Sequence, residues 1–226
     1  MTNSGAWVPG YVLHLRPYRE TSAIAEILTA GQGRVGAVVR GLKKKRPNQS
    51  LQPFQRYVFA WRGQRELVNL SAWEPDTRAL RLQGTALVSA MYVNELLVKL
   101  TERQDPHEGL FEAYQVVLEQ LSQGRGAETP LRLFEKRLLA SLGYGLDIDS
   151  RIEPGSVYTF SLEQGIELAQ AETLDDPTRV SGETLLALQR DDLNGKRQLR
   201  EAKHLMRSVL EQLLGGRQLV SRSLLR

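Results

Sequence analysis

The residues best suited to chemistry in this sequence are cations concentrated in one short segment. Five of the seven residues from position 40 to position 46 are basic: Arg40, Lys43, Lys44, Lys45 and Arg46. They follow an alternating run, 34–40, that predicts a strand with Val35, Ala37 and Val39 on one face. A basic loop beside a sheet is typical of a surface that holds the phosphates of a nucleic acid. The alternative is a solvated loop whose lysines keep a sheet edge from aggregating.

Residues with catalytic potential are present, but their spacing predicts no active site. His14, His107 and His204 show no metal-ligand spacing. Acidic pairs at 147/149, 175/176 and 191/192 could hold magnesium as in a nuclease, but they lie in turn-rich stretches where Asp serves as a cap or turn former. The glycine turn at 31–33 is followed by a predicted strand and not by the GK[ST] and helix of a phosphate loop. We therefore expect a binding protein that is not an enzyme and uses no metal or other cofactor.

The composition is that of a globular protein. Of the 226 residues, 41% are hydrophobic, which is enough for one large domain or two modest ones. There is no cysteine, which excludes disulfides, thiol catalysis and cysteine zinc ligands. No apolar run approaches the ~18 residues of a membrane span, and the first residues lack the pattern of a signal peptide. We expect a cytoplasmic protein without membrane contact.

Charge is segregated along the chain. Residues 1–80 hold 12 Lys and Arg against 5 Asp and Glu, residues 81–189 hold 9 against 17, and residues 190–226 hold 9 against 4. A basic beginning and a basic end therefore flank an acidic middle. This distribution favours polyanion binding at defined surfaces.

Residues 1–78 are predicted to form a domain of short strands. The alternating or apolar runs are 11–16, 23–29, 34–40, 54–61 and 67–73. Five strands in this length fit an OB-type barrel, a common binder of single-stranded nucleic acid, and a small SH3-like barrel fits the same pattern.

Residues 79–226 are predicted to form a helical domain, which makes the fold class α+β. Helices are expected from 79 to the Asp105-Pro106 break, and over 108–122, 129–142, 182–190 and 196–214. The first should bury Leu87 and Met91 on its core stripe, and Thr129 should cap the third, with Pro130 at its first position. Residues 144–178 lose the helical period and form an irregular insertion, with a small hairpin of 157–160 and 166–169.

Five short motifs, in one order along nearly the whole chain, resemble the RecO family of recombination mediators. They are Gly31-x-Gly33-Arg34 with the basic loop, Leu51-Gln52-Pro53-Phe54, Tyr92-x-Asn94-Glu95-Leu96-Leu97, Leu131-Arg132-x-Phe134-Glu135-x-x-Leu138-Leu139 leading into Leu142-Gly143-Tyr144, and Gly215-Gly216 before Ser221-Arg222. Many members carry four zinc-binding cysteines in the segment corresponding to 145–178. This chain has none, so it resembles the zinc-free branch of the family.

The resemblance implies an N-terminal OB fold, a C-terminal helical domain and a role in DNA repair. A protein of this kind binds single- and double-stranded DNA and anneals complementary strands. With RecR it helps to load the recombinase RecA onto DNA coated by single-strand-binding protein (SSB). The implied partners are DNA, RecR, the acidic C-terminal tail of SSB and, indirectly, the RecA filament, in nucleoid-associated cytoplasm. The competing interpretations are a metal-dependent, nuclease-like enzyme and an OB-fold RNA-binding factor.

Two sets of site residues follow. The expected DNA contacts are Arg34, Arg40, Lys43, Lys44, Lys45 and Arg46. The barrel aromatics Tyr57, Phe59 and Trp61 either stack on bases or fill the barrel core. The SSB tail needs an apolar notch with a cation at its rim, and the family-matched cation is Arg132, with Lys136 one turn further along. Alternatively, Arg132 makes an ion pair on the helix surface with Glu128 or Glu135.

Overall fold

Five N-terminal strands close into a barrel in the computed structural model of the protein, which describes residues 7–41, 51–76, 80–149, 151–170 and 176–224. The strands are β1 (Val8–Tyr18), β2 (Ser22–Thr29), β3 (Gly33–Val39), β4 (Arg56–Arg62) and β5 (Leu67–Pro75). Their order around the barrel is β1-β2-β3-β5-β4, with β3 and β5 parallel and the other neighbours antiparallel. This five-stranded closure is the OB fold, which the strand pattern alone did not distinguish from an SH3-like barrel.

The interior of the barrel is filled by the inward-facing residues that alternation predicts, including Val35, Ala37 and Val39. Tyr57 and Phe59 belong to this core and are 2% and 0% exposed. Their rings are 5.5 Å apart, so these two aromatics fill the barrel and are not available to stack on bases. Trp61 is only partly buried against the same core.

The outer face of the barrel is also covered in part, because two helices pack on it: α1 (Gly84–Leu100) and α2 (Leu110–Ser122). The ring of Tyr11 on β1 contacts the rings of Phe111 and Tyr114 on α2 at centroid distances of 5.6 Å and 5.0 Å. Asn94 on α1 donates to the backbone oxygen of Leu13 (2.8 Å) and accepts from the Tyr114 hydroxyl (2.7 Å). The motif around Asn94 therefore joins both helices to the barrel.

This packing decides how the chain divides. One compact unit comprises Met1–Ser122 with Ser221–Arg226, and the other comprises Gln123–Val220. The first unit extends past residue 78, where the sequence period changes, because α1 and α2 pack on the barrel. The reason is that a sheet with apolar residues on both faces needs a second layer.

Helix α1 corrects two expectations from the sequence. It begins at Gly84 and not near residue 79, and Leu87 and Met91 are 36% and 42% exposed. Leu97, which the helical period also indicates, is buried, and the buried side further includes Val93 and Asn94.

The described residues of the second unit form three helices and a small sheet. These elements are α3 (Glu128–Ser141), α4 (Gly182–Gln189), α5 (Lys196–Leu214), β6 (Val157–Ser161), β7 (Gly165–Leu168) and β8 (Val180–Ser181). Strands β6 and β7 form the expected hairpin, and α6 (Val220–Ser223) follows α5. Helix α3 is capped by Ala127 and not by Thr129, whose hydroxyl instead donates to the backbone oxygen of Leu193 (3.1 Å). Pro130 therefore occupies the third position of the helix.

A carboxylate on α5 orders the start of α4. Glu201 Oε2 accepts hydrogen bonds from the hydroxyls of Ser181 (2.6 Å) and Thr184 (2.7 Å), and Oε1 accepts one from Arg197 Nε (2.7 Å). Burial alone would raise the pKa of Glu201, but these donors stabilise the anion and lower its pKa from 4.5 to about 2. The same Ser181 hydroxyl caps α4 at the Thr184 amide.

Two of the acidic residues considered as metal ligands form turns, and Asp191 instead pairs with Lys136 and Arg137. Asp149 accepts from the Arg151 amide (2.8 Å), and Asp176 accepts from the Thr178 amide (2.7 Å). Within the described ranges, no three His, Asp or Glu side chains lie close enough together to hold a metal ion. No helix in these ranges has the length and hydrophobicity needed to span a bilayer.

Candidate nucleic-acid interface

Half of the outer face of β2 and β3 is closed by the connection between α1 and α2. Arg34 on β3 pairs with Glu26 on β2, with 2.5 Å between Nη1 and Oε2. The same guanidinium donates through Nη2 to the backbone oxygen of Thr101 (2.5 Å). Arg103, in the connection, pairs with both carboxylate oxygens of Glu26. The Gln104 amide donates to the backbone oxygen of Arg34 (2.8 Å). OB folds commonly bind nucleic acid on this face, and here that part of it is occupied by the protein itself.

Two glycines allow the connection to approach so closely. A Cβ on Gly33 would lie 2.1 Å from the backbone oxygen of Asp105, and Gly33 also has φ +66°. A Cβ on Gly36 would lie 2.6 Å from Nε of Arg103. The glycines of this stretch therefore serve close backbone packing, and not phosphate binding.

The electrostatics of the Glu26 cluster are those of a folded core. Burial alone would raise the pKa of Glu26, but hydrogen bonds and charge from Arg103 and Arg34 outweigh it and hold the pKa below its ordinary value. Arg103 is further paired with Glu66 (2.6 Å). Glu26 therefore stays ionised at neutral pH, and the cluster joins β2, β3 and the connection after α1.

Arg34 is therefore not positioned to contact DNA, contrary to expectation. It is 9% exposed, and its donors are directed at Glu26 and Thr101. A phosphate could reach it only after a buried ion pair had been broken.

The neighbouring row on this outer face is buried at Ile24 but has exposed, basic ends. Strand register places one residue from each strand in a single row: Arg16, Ile24, Val38, Asn69 and Arg62. Arg16 and Arg62 are exposed at the two ends of this row. Arg40, one residue beyond β3, is exposed and donates from Nη2 to Asn69 Oδ1 (3.3 Å), which brings it beside the row.

The tight turn between β1 and β2 adds a further cation. Arg19 is exposed with φ +55°, and its guanidinium lies 5.1 Å from the centre of the Tyr18 ring. We call Arg16, Arg19, Arg40 and Arg62 the basic face. The run Lys43, Lys44, Lys45 and Arg46 begins three residues after Arg40 in the sequence, but it lies outside the described residues.

Three of the four residues of the basic face were not predicted from the sequence. Arg16, Arg19 and Arg62 are single cations far apart in the chain, so no local run indicates them. Alternation could have placed Arg16 on the outer face of its strand, opposite Leu15. Only the register of five strands brings it into one row with Arg62.

The two candidates on α3 are more enclosed than the sequence indicates. Arg132 is 5% exposed and pairs with Glu135 (2.8 Å). The expected ion pair is therefore present, but it is buried in the protein and does not lie on the helix surface. Its Nε has no hydrogen-bond partner among the described residues. Lys136 donates to the backbone oxygen of Leu188 (2.6 Å) and pairs with Asp191, so it joins α3 to the end of α4.

The motif around Glu95 and the motif that ends in Ser221-Arg222 are in contact. Glu95 on α1 accepts from the backbone amide (2.9 Å) and hydroxyl (2.6 Å) of Ser221 at the start of α6. Lys99 supports the same carboxylate at 3.2 Å. This contact fastens the C-terminal segment to the first unit.

Comparison with known proteins agrees with the barrel, the helices and the motifs. Family models match the chain in two blocks: Recombination protein O N terminal over residues 4–77, and Recombination protein O C terminal over residues 81–223. The DNA repair protein RecO of Nitrosococcus oceani is 44% identical over 225 residues, which cover 96% of this chain and 91% of the relative. The RecO proteins of Cellvibrio japonicus and Coxiella burnetii are 40% and 38% identical, and the latter match covers 100% of both chains.

The match extends through both units and includes the barrel that carries the basic face. The chain belongs to the RecO family of DNA repair proteins.

Proposed function

We propose that this protein is a recombination mediator that binds single- and double-stranded DNA on its basic face and anneals complementary strands. With RecR, it helps to load RecA onto single-stranded DNA coated by SSB. The DNA contacts are Arg40, Lys43, Lys44, Lys45 and Arg46, together with Arg16, Arg19 and Arg62. Membership of a DNA repair family supports the general role, and the basic face supports the contacts.

One observation carries the DNA-binding proposal: the outer row of the barrel ends in Arg16 and Arg62, with Arg40 held beside it by Asn69. Two of these cations lie on strands of a rigid barrel and the third directly follows a strand, so together they present a fixed positive surface. A rigid surface with long cationic side chains contacts phosphates without reading base sequence. This suits a mediator that acts on any sequence.

Annealing on this face needs no catalytic group. Neutralising phosphates removes much of the repulsion between two strands and releases condensed counterions. It also raises the local concentration of the strands. We therefore expect annealing to weaken with salt in parallel with DNA binding.

Arg132 and Lys136 on α3 can bind the SSB tail only if their present partners change. An incoming carboxylate has to replace or join Glu135 as the partner of Arg132, whose Nε has no acceptor among the described residues. Lys136 can assist only by leaving Leu188 and Asp191. We therefore propose that Arg132 is the main cation for the tail and that Lys136 is secondary.

The decisive experiment removes charge from the basic run. In the variant K43Q/K44Q/K45Q/R46Q, single-stranded DNA should bind more weakly. The slope of log K against log salt should fall by up to about 2.8, at ~0.7 for each phosphate that is no longer neutralised. The charge-conserving variant K43R/K44R/K45R/R46K should keep the slope of the wild type. Unchanged affinity and slope in the glutamine variant would contradict the proposal.

The mediator role needs a separate measurement. Titration of the protein with RecR against SSB-coated DNA should accelerate RecA assembly, and SSB lacking its C-terminal tail should abolish that acceleration. Equal acceleration with and without the tail would remove the tail from the mechanism.

A further inference from the structure

The second unit carries its own cationic surface, on the outward side of α5. Lys196, Arg200, Lys203 and Arg207 are all exposed and follow one another at intervals of four, three and four residues. This spacing places them along one side of a helix. The opposite side of α5 is buried through Ala202, Leu205, Met206, Val209 and Leu210. We call the four cations the α5 stripe.

The start of α5 violates the usual charge preference of a helix. Its first turn contains Lys196 and Arg197 and no acidic residue, although cations at a helix N-terminus oppose the helix dipole. Arg197 is compensated by Glu201 at 2.7 Å. A local preference that is broken in this way often marks a functional position, because an external anion can provide the missing compensation.

The ion pairs made by the stripe do not block it. Lys203 pairs with Glu128 and Arg207 with Glu211, and in both pairs the side chains are about half exposed or more. Solvent-exposed pairs of this kind contribute little stability, so a stronger polyanion can replace the carboxylates. The stripe spans residues 196–207, or about 16 Å of helix, which is the length of about five nucleotides of one strand.

We propose that the α5 stripe is a second binding surface for the phosphate backbone of a DNA strand, separate from the basic face. The inference rests on the proposed function, because it assigns one strand to each unit. Charge complementarity to a polyanion supports it, and so does the position of α5, which the Glu201 hydrogen bonds fix against the start of α4. A chain with two such surfaces holds two strands at once, which is what annealing requires.

The test counts bound strands. Wild-type protein is titrated with an oligothymidine of about eight nucleotides, within the site size of one OB fold, and stoichiometry is read by sedimentation. We expect two oligonucleotides per chain for the wild type and one for K196Q/R200Q. The control R125Q/R190Q removes two exposed cations of the same unit that lie off α5, and should keep both.

The outcomes separate this inference from the proposed function. At lower salt, where K196Q/R200Q recovers a weak second binding event, the salt slope of that event should be about 1.4 smaller than in the wild type, at ~0.7 for each phosphate that is no longer neutralised. A wild type that binds one oligonucleotide, or a K196Q/R200Q variant that still binds two with wild-type slope, would overturn the α5 surface. Full binding by a variant of the basic run, in contrast, would overturn the proposed function.

Discussion

Arg34 and Glu26 form a 2.5 Å ion pair on the outer face of the barrel, with side chains only 10% and 7% exposed. The pair lies under Thr101 and Arg103, in the connection between α1 and α2. This part of the outer face is covered and stabilises the fold. The basic face lies beyond it, at exposed positions of the same barrel. Arg34, which belongs to the glycine-rich motif, is buried in the packing of the barrel. Arg16 and Arg62, which belong to no motif, are exposed to solvent.

We predict that Arg34→Ala destabilises the protein and that Arg40→Gln does not. Loss of Arg34 removes one buried donor from the Glu26 carboxylate, which keeps Arg103 as a partner, and should cost about 1–3 kcal/mol in the free energy of unfolding. Arg40 is exposed and should cost under ~0.5 kcal/mol. Denaturant unfolding checks both variants. Wild-type stability of Arg34→Ala, accompanied by weaker DNA binding, would return Arg34 to the DNA contacts.

We predict that Arg16→Gln and Arg62→Gln each weaken single-stranded DNA binding without lowering stability. Each should reduce the salt slope by about 0.7, because each removes one phosphate contact. Arg16→Lys and Arg62→Lys retain the charge and should keep the slope. Fluorescence titrations at several salt concentrations provide the measurement. If the Gln and Lys variants behave alike, the row across the barrel does not contact phosphates.

Stability should fall at low pH in part through Glu201. Its pKa is lowered in the folded protein from 4.5 to about 2, so its contribution is fully present above pH 4.5 and is lost as the pH falls toward 2. Glu201→Gln should lower stability at pH 7 by about 1–3 kcal/mol, because Ser181 and Thr184 lose a charged acceptor. It should also flatten the dependence between pH 4.5 and 2. Unfolding midpoints across this range check the slope; parallel curves for the two proteins would contradict the assignment.

We predict that Arg132→Ala weakens binding of an SSB-tail peptide and spares binding of naked DNA. The loss of a charge-assisted hydrogen bond should reduce peptide affinity about tenfold or more. Because Glu135 then loses its partner, a double variant R132A/E135Q serves as the control for folding, with unfolding measured beside binding. Equal losses on peptide and DNA would show that the two ligands do not use separate sites.

Much of this protein can be predicted from local patterns. Alternation placed Val35, Ala37 and Val39 inside the barrel, and the helical period placed α5 at Lys196–Leu214 with its cations outward. Gly215 ends that helix in the left-handed conformation, and Ser181 caps α4. These features follow from the sequence because the interactions that decide them lie within one or two turns of the chain.

The tertiary structure alone decided which cations are available to a ligand. Arg34 and Arg40 are both basic residues at the two ends of one strand pattern, yet one is buried against Glu26 and the other lies exposed beside Asn69. Burial of the first depends on a connection some 70 residues later in the chain, in which Thr101 accepts from Arg34 while Arg103 and Asp105 lie against Gly36 and Gly33. The row from Arg16 to Arg62 likewise depends on strand register, since pairing between distant strands is set by the closure of the barrel and not by either strand alone.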